Sequence, residues 1–110
     1  MKKNTLENIE EKIRAYDILS KEKKSELLGL ITKLKKEILE LSKSKAEHAE
    51  SFVGFMERST HEATRREKNP TLLRLSVDGL SESVKEFEIS HPVLVEKVNN
   101  IAAMLANMGI

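Results

Sequence analysis

His61-Glu62-Ala63-Thr64-Arg65 comes within one residue of the zinc-protease pattern His-Glu-x-x-His. That chemistry needs two histidines four residues apart on one helical face, and Arg65 stands where the second must be. The other histidines are His48 and His91. His48 and His61 lie thirteen residues apart, about 140° around a helix, so one straight helix keeps them from a shared site. Glu88-Ile89-Ser90-His91 has the Glu-x-x-His spacing of di-iron carboxylate bundles. Such a site needs that pair twice and two further inward-facing glutamates. Only one pair occurs, and it straddles a helix boundary. No metal site and no cofactor are expected. The sequence has no Cys, and it shows neither a Gly-rich phosphate loop nor a Gly-x-Ser-x-Gly elbow. Ser42, Ser44, Ser51 and Ser59 cluster without a His in a nucleophile-like setting. The expected class is not an enzyme.

The segment 57–69 is almost wholly polar, with Ala63 its only aliphatic residue. A helix polar on nearly all faces needs ion pairs or a partner. Arg58–Glu62 and Glu62–Arg66 supply i,i+4 pairs. Arg58, His61, Arg65 and Lys68 fall at 3-4-3 spacing and give one basic stripe. That stripe reads either as a solvated outer face or as a contact for an anion or a protein partner. Nucleic acid is disfavoured, because four basic groups are few and no aromatic residue interleaves with them. The neighbouring Phe52, Val53, Phe55 and Met56 read as core or dimer interface rather than as a docking patch. Lys21, Lys23 and Lys24, offset by Glu22 and Glu26, read as a solvated face.

The elements that must position these residues follow from composition and period. The chain has 110 residues, one domain's length, with 39% hydrophobic, 34% charged and 4% aromatic residues. Such a mixture suits long helices rather than a sheet. A net charge of +1 creates no strong field toward nucleic acid or an anionic membrane. The longest charge-free run, residues 98–110, is too short to span a bilayer, which takes about 20 apolar residues. No secretory signal is visible, and the expected location is the cytoplasm. Four helices are expected, at about 5–16, 20–68, 70–89 and 91–108, in a single all-α domain. Leu6, Ile9, Ile13 and Tyr16 line the first, behind an Asn4 cap with Glu7 completing a capping box. Glu10–Arg14 is expected as an outside pair. Ser20 caps the second, which meets no Pro before Asn69-Pro70. Its first stripe is Leu27, Ile31, Leu34, Ile38 and Leu41; its second is Ala49, Val53, Met56, Thr60 and Ala63. The eleven-residue step from Ile38 to Ala49 makes the seam drift at Ser42-Lys43-Ser44-Lys45, and Gly54 is a second weak point. Asn69 and Pro70 open the third helix, with Leu73, Val77, Leu80, Val84 and Phe87 in a strict 4-3-4-3 repeat. Gly79 inside it costs about 1 kcal/mol relative to Ala, which a close approach by another helix would justify. Ser90 and Pro92 open the last, carrying Leu94, Val98, Ile101, Ala102, Leu105 and Met108. Gly109 and Ile110 fit a Schellman ending that lays Ile110 on Leu105.

A continuous helix over 20–68 is about 74 Å long. The simplest arrangement runs the last two helices back along it, as a long antiparallel hairpin thickened by the short first helix. So slender a body buries little per residue. A homodimer forming a four-helix-type bundle is therefore expected.

Glu86-Phe87-Glu88-Ile89-Ser90-His91-Pro92-Val93-Leu94, followed by Ala103-Met104-Leu105-Ala106-Asn107-Met108-Gly109-Ile110, resembles a family of short bacterial proteins known only as a domain of unknown function. Longer members look similar across His61-Glu62-Ala63-Thr64-Arg65 and Asn69-Pro70-Thr71-Leu72-Leu73 as well. The resemblance covers about half the chain. It implies a small, bacterial, intracellular, all-helical protein and carries no activity. The functional expectation is a self-associating helical protein acting through protein contacts, with an unidentified protein partner. The alternative is an accessory factor that meets an anion or nucleic acid through Arg58, His61, Arg65 and Lys68.

Overall fold

In the computed structural model, residues 2–108 are described, and for residues 2–4 the backbone alone. Five α-helices follow in order: α1 (Lys2–Ala15), α2 (Lys21–Ser44), α3 (Ala46–Thr64), α4 (Pro70–Val84) and α5 (Pro92–Met108). A single 3-10 turn (Lys85–Phe87) separates the last two. No strand occurs among the described residues, so the all-α expectation holds.

The long second helix does not. It breaks at Lys45, whose φ of −133° and ψ of 54° leave the helical region. The Lys45 N–H still donates to the Leu41 carbonyl at 2.7 Å, and the Lys45 carbonyl accepts from Ala49 N–H at 3.0 Å. One residue therefore closes α2 and opens α3. The weak link is the polar run before it: Ser42 Oγ donates to the Leu39 carbonyl at 2.9 Å, competing with the helical ladder. Gly54 leaves α3 unbroken. The break at Lys45 has a packing reason. The two stripes are out of phase along one rod, and folding the rod lets both face one core. In place of a long hairpin the molecule measures 37 × 25 × 23 Å. Its radius of gyration is 13.0 Å, close to the ~13 Å of a compact chain of this size.

α3 touches all four other α-helices. Around it α1 neighbours α2, α2 neighbours α5, and α5 neighbours α4. α1 and α4 make no such contact, so a strip of α3 stays uncovered between them. Leu27, Ile31, Leu34, Ile38, Val53 and Met56 are buried, as are Leu73, Leu80, Val84, Phe87, Leu94, Val98, Ile101 and Leu105. Val77 is only partly buried. These seam residues are consumed within one chain. The expected dimer rested on a slender hairpin unable to bury them, and that ground is gone.

Several local expectations are met and several shift. Ser20 Oγ accepts from Lys23 N–H at 3.2 Å, and Asn69 Oδ1 accepts from Leu72 N–H at 3.1 Å with Pro70 in the first turn. α1 begins at Lys2, so Asn4 lies inside the helix rather than at its cap. α4 ends at Val84, five residues short of the expected 89, and tightens into the 3-10 turn. α5 opens one residue later than Ser90 could cap: the His91 carbonyl accepts from Val95 N–H at 3.2 Å, and Ser90 Oγ lies 2.9 Å from His91 Nδ1. Gly109 and Ile110 lie outside the described residues. The start of α3 is tied to the α4–α5 junction. The buried Phe87 ring meets the His48 and His91 rings edge-on, each 5.7 Å away, and His48 Nδ1 lies 3.1 Å from Glu86 Oε1.

The break is directly measurable. Spin labels at Lys21 and His61 would stand ~60 Å apart on a continuous helix. The expected separation falls within the 37 Å long axis of the molecule. A distribution centred near the longer value would contradict the fold.

Candidate functional site

The C-terminal half of α3, polar by sequence, is largely core. Ser59, Thr60, Glu62 and Ala63 are buried. Both hydroxyls are satisfied inside the helix: Ser59 Oγ donates to the Phe55 carbonyl at 2.7 Å, and Thr60 Oγ1 to the Met56 carbonyl at 2.8 Å. Such i−4 bonds let polar side chains enter a core without an outside partner. Glu62 has only 2% of its side chain exposed, and its carboxylate takes two guanidinium groups. Arg65 Nη1 lies 2.8 Å from Oε1, and Arg58 Nη1 lies 3.6 Å from Oε2. A buried carboxylate needs such partners, because desolvation of the unpaired charge is expensive. A second buried carboxylate, Glu10 on α1, is met by Lys35 Nζ of α2 at 3.0 Å. It does not form the expected outside pair with Arg14.

The expected basic stripe is not a helical stripe beyond residue 64. α3 stops at Thr64, and Arg65 takes extended φ and ψ. Lys68, in the following loop, donates from Nζ to the Ala63 carbonyl and lies 4.5 Å from the centre of the Tyr16 ring. It therefore caps the end of α3, where the helix dipole favours a cation. The same early ending takes Arg66 out of i,i+4 register with Glu62. Arg65 and Lys68 are thus partly committed to holding α3. His61 is exposed on the open strip.

Two grooves flank that strip. Toward α1 lies a cleft of about 520 Å³ that gathers Lys12, Tyr16, His61, Arg65, Arg66 and Lys68, with Asp17 on its wall. It continues past Gly54 and Glu57 to Arg58. Toward α4 lies a groove with a different character. Phe55, Leu72 and Leu75 line it and remain 40%, 43% and 61% exposed. Arg58, Glu62 and Ser76 complete it. Gly79 explains how Phe55 sits: a Cβ at residue 79 would collide with its ring, so the glycine lets the ring lie against α4. The close approach expected at Gly79 is therefore made, by Phe55 of α3.

Among the described residues, no group of three His, Cys, Asp or Glu side chains could hold a metal ion, and no helix is long and apolar enough to cross a membrane. A family profile described as "Domain of unknown function (DUF4404)" matches residues 37–110. The chain belongs to this family. No curated protein and no solved structure matches it. The DUF4404 match extends upstream of the resemblance seen in the C-terminal half and contains α3 and α4 whole. α1, which supplies Lys12 and Tyr16 to the basic cleft, lies outside the DUF4404 stretch.

Of the basic residues singled out by sequence, His61, Arg65 and Lys68 meet in the α1–α3 cleft, and Arg58 stands between the two grooves. Sequence reasoning missed Lys12, because only the tertiary fold brings α1 to α3. It also missed the groove at Leu72 and Leu75. A signal was present there: α4 carries these two leucines beside its seam, more apolar surface than one face needs.

The Glu62 arrangement gives an ordered pair of outcomes. Arg65→Ala leaves the buried carboxylate with one distant partner and should cost about 2 kcal/mol in urea unfolding. Arg58→Ala removes a long pair whose cation is 65% exposed, and should cost within about 0.5 kcal/mol. Equal losses, or a larger loss at Arg58, would contradict this assignment.

Proposed function

We propose that this protein is not an enzyme and acts through protein–protein contact, holding a helical segment of a partner along the open strip of α3. The exposed cluster of Phe55, Leu72 and Leu75 carries the reading. The chain buries its heptad-like seams almost completely, yet leaves these three large apolar side chains together around one groove. A grouped apolar patch with a polar rim is the ordinary mark of a contact surface, and a groove between two helices suits an amphipathic helix. Ile18, Leu39, Ile89 and Val93, also exposed, lie elsewhere: on the α1–α2 turn, on α2, between α4 and α5, and at the start of α5. The non-enzymatic part of the proposal is supported by the sequence, where each catalytic pattern is incomplete. The proposed setting is the bacterial cytoplasm, supported by the resemblance of the C-terminal half and by the lack of cysteine.

The test is a photo-crosslinking residue placed at Leu75 or, as a control, at Leu39, in cells that make the protein. A discrete protein adduct is expected from position 75, absent from position 39, and lost when Leu72→Glu is added. An adduct of twice the 12.5 kDa chain mass would replace the separate partner with a second copy. No adduct at 75, or the same adducts at both positions, would overturn the proposal.

A further inference from the structure

The two grooves beside α3 differ in chemistry, and together they constrain what can lie there. Apolar side chains gather on the α4 side. On the α1 side Lys12, His61 and Arg66 make no ion pair among the described residues, and Arg65 lies beside them. Arg65 is held in place from below by Glu62, which leaves other N–H groups of its five-donor fork free for a second acceptor. Lys68 donates to the Ala63 carbonyl at the end of α3, where the negative end of the helix dipole would otherwise repel an anion. A helix is ~10 Å across with its side chains. One laid along the uncovered strip therefore reaches both grooves at once, with Arg58 beneath it.

Resting on the contact reading above, we infer that the partner segment is an acidic amphipathic helix, with its apolar stripe in the Phe55–Leu72–Leu75 groove and a row of carboxylates against Lys12, His61, Arg65 and Arg66. A lysine-rich helix would meet like charge along that edge. A second copy docking through Leu39 fits poorly. Leu39, exposed on α2, is flanked one turn away by Lys36 and Lys43, so it would bring cations to a cationic cleft. Asp17 and Glu57 at the cleft margin limit the local excess of positive charge, so discrimination rests on Lys12, Arg65 and Arg66.

The experiment uses synthetic helical peptides of about five turns (~18 residues), read by fluorescence anisotropy against the full chain. One peptide carries leucines on one face and glutamates along the adjoining edge. A second replaces each glutamate by lysine. A third keeps the glutamates and replaces each leucine by serine. The glutamate–leucine peptide is expected to bind roughly tenfold or more tighter than the lysine peptide. Lys12→Glu with Arg66→Glu should reverse that order, whereas Lys36→Glu with Lys43→Glu on α2 should leave it unchanged. Equal affinity for the glutamate and lysine peptides would overturn the acidic partner while leaving the apolar docking groove. If neither leucine peptide binds, or the serine peptide binds as well as the leucine one, helix docking itself fails.

Discussion

Everything in this molecule is arranged around covering α3. The helix is flanked by the other four and leaves one strip open, yet much of its C-terminal half is polar. Burying such a helix demands that each polar group find a partner without water. Ser59 and Thr60 use the helix's own carbonyls, Glu62 uses Arg58 and Arg65, and Lys68 closes the end at Ala63. No buried side-chain nitrogen or oxygen among the described residues is left without a hydrogen bond. The turn at Lys45 makes this possible, because a straight continuation of α2 would carry α3 away from the core instead of into it.

The same commitments shape the outer surface. The guanidinium that neutralises Glu62 also faces the α1–α3 cleft, so one interaction ties the stability of α3 to the lining of that cleft. Gly79 plays a comparable double role. Its missing side chain lets Phe55 lie on α4, and the ring then forms part of the apolar groove. Core stability and the shape of the two grooves are therefore coupled through Glu62 and Phe55.

Much of the architecture was legible in the sequence. Period-3.6 stripes identified nearly all of the core, and Ser20 and Asn69 marked helix starts because short polar side chains satisfy the first free N–H groups. The seam drift at residues 42–45 was also visible. Whether it would bend or break could not be read there, since that outcome depends on what α3 gains by packing against α1 and α4. Glu10 and Glu62 illustrate the remaining limit. Local spacing gave each an exposed i,i+4 partner, whereas tertiary packing buried both and took Glu10 to Lys35, twenty-five residues away. The basic residues of 58–68 were recognised as a group. Their complement from α1, and the apolar groove on the far side of Arg58, arise only when distant segments meet.

The account stands or falls on the polar half of α3 being core. Native-state hydrogen exchange resolved to single amides measures this directly. The amides from Phe52 to Ala63 should exchange only through global unfolding, with protection matching that of Ile31 and Leu34 on α2. Exchange of the 57–63 amides at rates typical of a frayed helix end, while α2 stays protected, would contradict it.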